Sequence, residues 1–321
     1  MTTFRAALLA AFAGVLGISA PVAAQEAADA GQQEAAPAAD DNIVVTGERP
    51  ARSEVTRQAR DVTDIGSDVR DRPLARIEDR LCPGVLGLKQ SGAELMIDRI
   101  RWNAERLHMW LADDTDCHPN LIVAFVEDGK AEIAALVEHQ PWLFEDMTTA
   151  QRHALLATEG PVRVWTTSLT RTRDGMEIAR RESLDNPPQV EMWMAHSKLY
   201  LTIREDITQT VVLFDRAAVH GKSIIQLADY ATMRGFARTR PASGDAQFDT
   251  ILALFDPNHE PPQALTDFDQ AYLTNLYQEI ANLPAAMRLA DVSNELERLA
   301  NANADAASPA PAAAPEASSS Q

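Results

Sequence analysis

The chain has 321 residues, with 29 Lys+Arg against 47 Asp+Glu, a formal net charge of −18, and 45% hydrophobic but only 6% aromatic residues. Roughly 100–200 residues make a domain, so one or two domains with a sizeable core are accommodated. The acid excess, with no long run of Lys or Arg, disfavours a nucleic-acid binder that works by neutralising phosphates, and past residue 24 no stretch approaches ~18 consecutive apolar residues, which excludes a polytopic membrane protein.

Residues 1–24 read as a secretory signal peptide. Arg5 supplies the basic start, Ala6 to Ile18 the apolar run, and Val22-Ala23-Ala24 the small residues of a cleavage site. The run is too short for a membrane anchor and is followed by the polar Gln25-Glu26. An exported protein, periplasmic or secreted, with no span in the mature chain, is therefore expected. Residues 25–48 hold six acids and no base among Ala, Gln and Gly, a composition that cannot bury enough apolar surface to offset its ordering entropy. Residues 49–75 switch to six Arg against five acids and read as linker with transient helix. Together 25–75 form an expected disordered acidic arm and linker, and the Ala/Pro/Ser-rich 301–321 an extended tail. The folded part is expected over 76–300, as one globular domain.

The two cysteines of the mature chain, Cys82 and Cys117, form an even pair in what should be an oxidising compartment. A disulfide is the favoured reading and two buried thiols the alternative. Cys82-Pro83 and Cys117-His118-Pro119 lack the spacing of a zinc site.

Within 76–300 helices and strands interleave. Leu95/Ile97, Ile100, Ala104 and Leu107 mark a helix over 93–108, Asn120–Val126 is a buried strand, and helices follow over 130–139 and, behind the Thr148/Thr149 caps, 150–157. Strands are predicted at 162–169, 190–196 and 210–214. Helices are predicted at 222–237, at 267–280 behind Thr266, and from Pro284 to about 300. The class is α+β, a mixed α/β fold with a small sheet of four or five strands and packing helices.

Several fragments fail as motifs on spacing. His220-Gly221-Lys222-Ser223 ends like a P-loop, but Arg216 stands where its first glycine belongs. His259-Glu260 begins like HExxH, yet Pro261-Pro262 forbid the helix that would bring two ligands together. Asp113 to Asp116 lacks the Gly and distal Glu of a calcium loop and reads as a solvated turn. No GxSxG or GxGxxG occurs.

The order of elements over 210–280 resembles the catalytic half of zincin-type metallopeptidases. The strand Thr210–Phe214 precedes the helix of Gln226-Leu-Ala-Asp-Tyr-Ala-Thr-Met233, and Leu265-Thr-Asp-Phe-Asp through Leu276-Tyr277 follows. The resemblance implies a zincin-like sheet and places Gln226 and Tyr230 where two His ligands stand, with Leu227 in place of the general-base Glu. Zinc chemistry needs good donors at those places and a carboxylate to take a proton from bound water. Gln226, Tyr230 and Leu227 do not supply them, and Asp229 lies one residue off, about 100° around the axis. The implied site is inactive: no catalytic residue, metal or cofactor is expected, and Gln226, Asp229 and Tyr230 remain as candidate degenerate-site residues. An alternative has Ile225, Ala228, Thr232 and Met233 lining a core, with Gln226 and Tyr230 bonded to nearby backbone.

Cys117-His-Pro-Asn120 and Gln226–Met233 also resemble exported alphaproteobacterial proteins, which implies a Gram-negative envelope address and no reaction. The use of 25 Arg against 4 Lys accords with that source. Asp41-Asn-Ile-Val-Val-Thr-Gly-Glu-Arg49 resembles the TonB-box region of outer-membrane receptors, which offers a strand for β-augmentation. Ile43, Val44, Val45 and Thr46 are the candidate docking strand, and an envelope protein partner the expectation. An incidental apolar patch is the alternative. Three functional readings result: a non-catalytic binding or accessory domain of zincin-like fold, a metallohydrolase with a non-standard metal site, and a structural envelope protein docking through its arm.

Overall fold

The computed structural model describes residues 51–307, apart from 66–68, 146, 179–184, 186–198, 243–245, 247 and 279. The expected leader 1–24, the acidic stretch 25–48 with its Ile43–Thr46 strand, the strand at 190–196 and the tail from 308 lie outside the described residues.

Among the described residues a mixed sheet of five strands organises the fold: β1 (Ala75–Arg76), β2 (Pro83–Leu86), β3 (Leu121–Val126), β4 (Val162–Thr172) and β5 (Ile203–Asp215). β5 is its spine. It pairs in parallel with β1 at Ala75↔Glu205 and with β3 from Leu121↔Thr210 to Val126↔Asp215, and β3 pairs in parallel with β2. β4 alone runs antiparallel, along β5 from Val162↔Phe214 to Thr172↔Ile203, with a bulge at Thr167/Ser168. Successive side chains on a strand point to opposite faces. Val212 and Phe214 accordingly join one core cluster while Val211 and Leu213 join another. Because both faces are covered, Thr210–Phe214 reads as a continuous apolar run.

Among the described residues seven helices pack around the sheet: α1 (Arg52–Val62), α2 (Gln90–Arg106), α3 (Gly129–His139), α4 (Thr149–Ala157), α5 (Ile224–Phe236), α6 (Asp267–Gln278) and α7 (Ala285–Ala307). Ile133 of α3, Leu155 of α4 and Phe144 cover the Val211/Leu213 face together with Trp165 of β4. The larger cluster on the other face takes Met96, Ile100 and Ala104 from α2, most of α5, and the apolar sides of α1, α6 and α7. Local chemistry fixes the starts. Thr148 and Gln151 form a capping box at α4, Ser223 and Gln226 another at α5, and the Asp128 carboxylate accepts from the amides of Lys130 and Ala131 at α3. Gly235 lets α5 lie close over β3, since a Cβ there would fall 2.5 Å from Leu121 Cδ1.

The disulfide between Cys82 and Cys117 is present, with Cα atoms 5.4 Å apart. It ties the start of β2 to the turn before β3. Asn120 reinforces the tie: its Oδ1 accepts from the Cys82 amide at 2.9 Å, its Nδ2 donates to the Arg80 carbonyl at 3.0 Å, and its amide donates to the Cys82 carbonyl. The Cys-His-Pro-Asn stretch thus has a structural task.

Three expectations need correction. Residues 52–62, read as linker, form α1. Val55, Ala59 and Val62 recur at i, i+4 and i+7, are buried, and seat the helix on α7. The C-terminal helix does not stop near 300 but runs to Ala307, because the Asn-Ala-Asn-Ala-Asp stretch favours helix through its alanines. In α2 the buried face is Met96, Ile100, Asn103 and Ala104, while Leu95 is 61% exposed. The strands β1 and β2 are additions to the predicted set.

Candidate functional site

α5 carries the candidate residues, and every position from Gln226 to Phe236 is buried. A helix buried to this extent offers no open face at Gln226, Asp229 or Tyr230. Ile225, expected in the core, is 48% exposed, whereas Ala228, Thr232 and Met233 are inside.

Gln226 closes the capping box: its Oε1 accepts from the Ser223 amide at 2.9 Å, and its Nε2 donates to the Pro262 carbonyl at 2.8 Å. The fragment that looked like the end of a P-loop is therefore the start of α5. Asp229 is fully buried and accepts four hydrogen bonds. Arg99 Nε and Nη2 form a two-pronged pair with its two oxygens at 2.7 Å each, Asn103 Nδ2 adds 2.8 Å and the Leu265 amide 2.8 Å. Tyr230 packs its ring against Phe214 and Phe255 at centroid distances of 5.9 and 5.1 Å. Burial pushes its phenol above the usual range, partly offset by the Arg234 guanidinium beside it. The three residues share no hydrogen-bond partner, although Gln226 and Asp229 both bond the backbone of the 262–265 segment. Among the described residues no cluster of three or more His, Cys, Asp or Glu is placed to hold a metal ion. His259 leans on Asp256, with Nδ1 3.2 Å from Oδ2. Asp113 faces Arg80 at 3.6 Å, on an exposed turn.

A second buried acid anchors the helix after α5. Asp269 accepts from Thr250 Oγ1, the Ile251 amide, the Thr266 amide and Thr266 Oγ1, and Thr266 Oγ1 accepts in turn from the Asp269 amide. Burial lifts its carboxyl from the ordinary 3.8 to about 6, against the pull of those donors. This is a capping box with an aspartate at its third position, drawn inside by α6.

A recess remains beside β4, where α4, the turn between α1 and β1 and the end of α5 meet. The cavity holds about 630 Å3 and is lined by Thr63, Arg72, Ser168, Glu205, Arg234 and Arg238, among others. The Glu205 carboxylate accepts from Ser168 Oγ at 2.6 Å and Thr170 Oγ1 at 3.0 Å, and lies 3.7 Å from Arg72. Arg238 faces Asp64 at 3.8 Å. Tyr272 and Thr63 share a hydrogen bond of 2.8 Å at its floor, and burial holds the Tyr272 phenol up at about 12. Concave, polar-lined recesses of a few hundred Å3 are the usual form of a small-molecule site.

Residue reading pointed to the middle of α5 and missed this recess. Its lining comes from segments far apart in sequence, and Thr63, Asp64 and Arg72 fell in the stretch read as linker. One signal was present: Arg234 is the one cation within the apolar helix, one turn after Tyr230. No protein-family model, no curated protein and no solved structure matches this chain.

Proposed function

We propose that the chain is an exported envelope protein whose folded domain is a non-catalytic binding or accessory module, zincin-like in the order of its elements. The observation that carries this is the enclosure of α5. At the places where a zincin has two ligands and a base, this helix has Gln226, Tyr230 and Leu227, each consumed by packing or by a hydrogen bond within the fold. What supports the likeness in order is an antiparallel β4 beside β5, then α5, then α6. The disulfide is compatible with an oxidising compartment, and residues 1–24 have the pattern that would deliver the chain there. In the same reading Ile43 to Thr46 offer a strand to an envelope partner.

The test is metal content and peptidase turnover of protein purified from the envelope fraction. Substoichiometric zinc and no cleavage of denatured casein are expected, with melting unaffected by chelator. Stoichiometric zinc that falls away in Tyr230→Phe would replace this reading with the metallohydrolase. Crosslinking with and without residues 41–49 addresses the arm: partner capture that survives the deletion removes it from the proposal.

A further inference from the structure

Among the described residues three arginines are buried to below a tenth of their surface: Arg163, Arg234 and Arg288. Two have their charge or donors met. Arg163 is paired with Asp215 at 3.1 Å, and Arg288 donates to the carbonyls of Asn275 and Ile280. Arg234 differs. It is 8% exposed, and among the described residues no carboxylate pairs with it and its only hydrogen bond is from Nη1 to the Tyr230 hydroxyl at a long 3.4 Å; its Nε has none, as is true of Arg163, but Arg163 has its carboxylate. The Tyr230 ring is a further weak partner, 5.9 Å from the guanidinium carbon. Buried charges are otherwise paired or neutralised, because an ion removed from water loses its hydration without recompense. Arginine cannot escape by giving up its proton.

What surface Arg234 keeps opens on the recess beside β4. Among the described residues the charges of that recess do not balance. Arg72 is matched by Glu205 and Arg238 by Asp64, each across more than 3.5 Å, and Glu205 already accepts from two hydroxyls. Of the described lining residues Arg234 is the surplus cation. We propose that Arg234 anchors an anion-binding site there, and that the ligand is a small organic molecule presenting one oxyanion, a carboxylate or a phosphate ester. The guanidinium fork suits either group, since it presents parallel N–H donors to two oxygens. Arg72 and Arg238, with side chains 47% and 28% exposed and long pairings, are free to turn towards the same anion. A volume of about 630 Å3 fits a metabolite-sized guest rather than a protein segment. The proposal does not rest on the zincin likeness and survives its failure.

The experiment follows thermal unfolding of the mature chain while sodium phosphate or sodium acetate replaces chloride at constant ionic strength, up to about 100 mM, since a ligand that binds only the folded state raises its melting temperature in a saturable way. A rise with phosphate assigns a phosphate-type ligand and a rise with acetate a carboxylate. Arg234→Met should abolish the rise while melting, free of either anion, at or above the wild-type temperature, because it removes an unpaired buried charge. Arg234→Lys, which keeps the charge and loses the fork, should fold and bind roughly tenfold or more weakly. The proposal is overturned if neither anion shifts the wild type, if Arg234→Met retains the wild-type response, or if Arg234→Met melts below the wild type or fails to fold while Arg234→Lys binds as the wild type does.

Discussion

Replacing Asp229 with Asn tests whether the centre of α5 is a structural joint. The side chain keeps its shape but loses its charge, and its amide can accept on one side only. Of the four donors aimed at Asp229, the Arg99 pair at 2.7 Å depends most on the charge. Summing four charge-assisted bonds at about 1.5–3 kcal/mol each would overshoot. The better guide is the breaking of a buried ion pair, which costs about 3–5 kcal/mol. Arg99 is 21% exposed and stacked 4.2 Å over the Trp102 ring, so part of its charge returns to water and the lower end applies. We expect Asp229→Asn to lower unfolding stability by about 3 kcal/mol, seen in urea as a lower midpoint with an unchanged slope. Arg99→Met and the double variant complete a cycle, for which a coupling of about 2 kcal/mol is expected. A loss under about 1 kcal/mol, or additive single effects, would refute the joint and reopen Asp229 as a functional carboxylate.

Two further outcomes follow from buried groups. Asp269 has a folded-state pKa of about 6, above its ordinary 3.8, so the native state holds the extra proton between those values. The stability this lends is complete below pH about 4 and is lost as pH rises through about 6. About two units correspond to roughly 3 kcal/mol, so the stability gap between wild type and Asp269→Asn should narrow by that order between pH 4 and pH 7. Urea midpoints at both pH values read it, and parallel changes in the two proteins would exclude Asp269 as the source. Replacing Cys82 and Cys117 together with Ser releases a loop of 35 residues, and a loss of about 4 kcal/mol is expected in the same assay. No change in midpoint would mean that Asn120 and the sheet hold that corner unaided.

What was legible before the structure was what depends on short-range pattern. Leu121–Val126 stands out because a parallel strand covered on both faces needs an unbroken apolar run, and Thr148 and Ser223 sit at helix starts that their hydroxyls cap. α1 was missed because its three small apolar residues are interleaved with charge, and only α7, more than two hundred residues later, makes that stripe worth burying. β1 and β2 were missed because two residues, or a stretch beginning Pro83-Gly84, carry no period of their own. The role of Asp229 as acceptor for Arg99 on another helix could not be seen from spacing. The recess beside β4 joins segments whose proximity is a product of topology.

The contact between α1 and α7 also bears on how the molecule is made. Arg52 and Glu297 bond across 245 positions of chain, and Gln58 trades hydrogen bonds with the backbone of Phe248. As the polypeptide emerges from its N-terminal end, the stripe of Val55, Ala59 and Val62 appears more than two hundred residues before its seat on α7. Vectorial folding must leave this corner open until α7 has been made. An emerging chain therefore stays extensible, and accessible to holding factors, until α7 docks on α1.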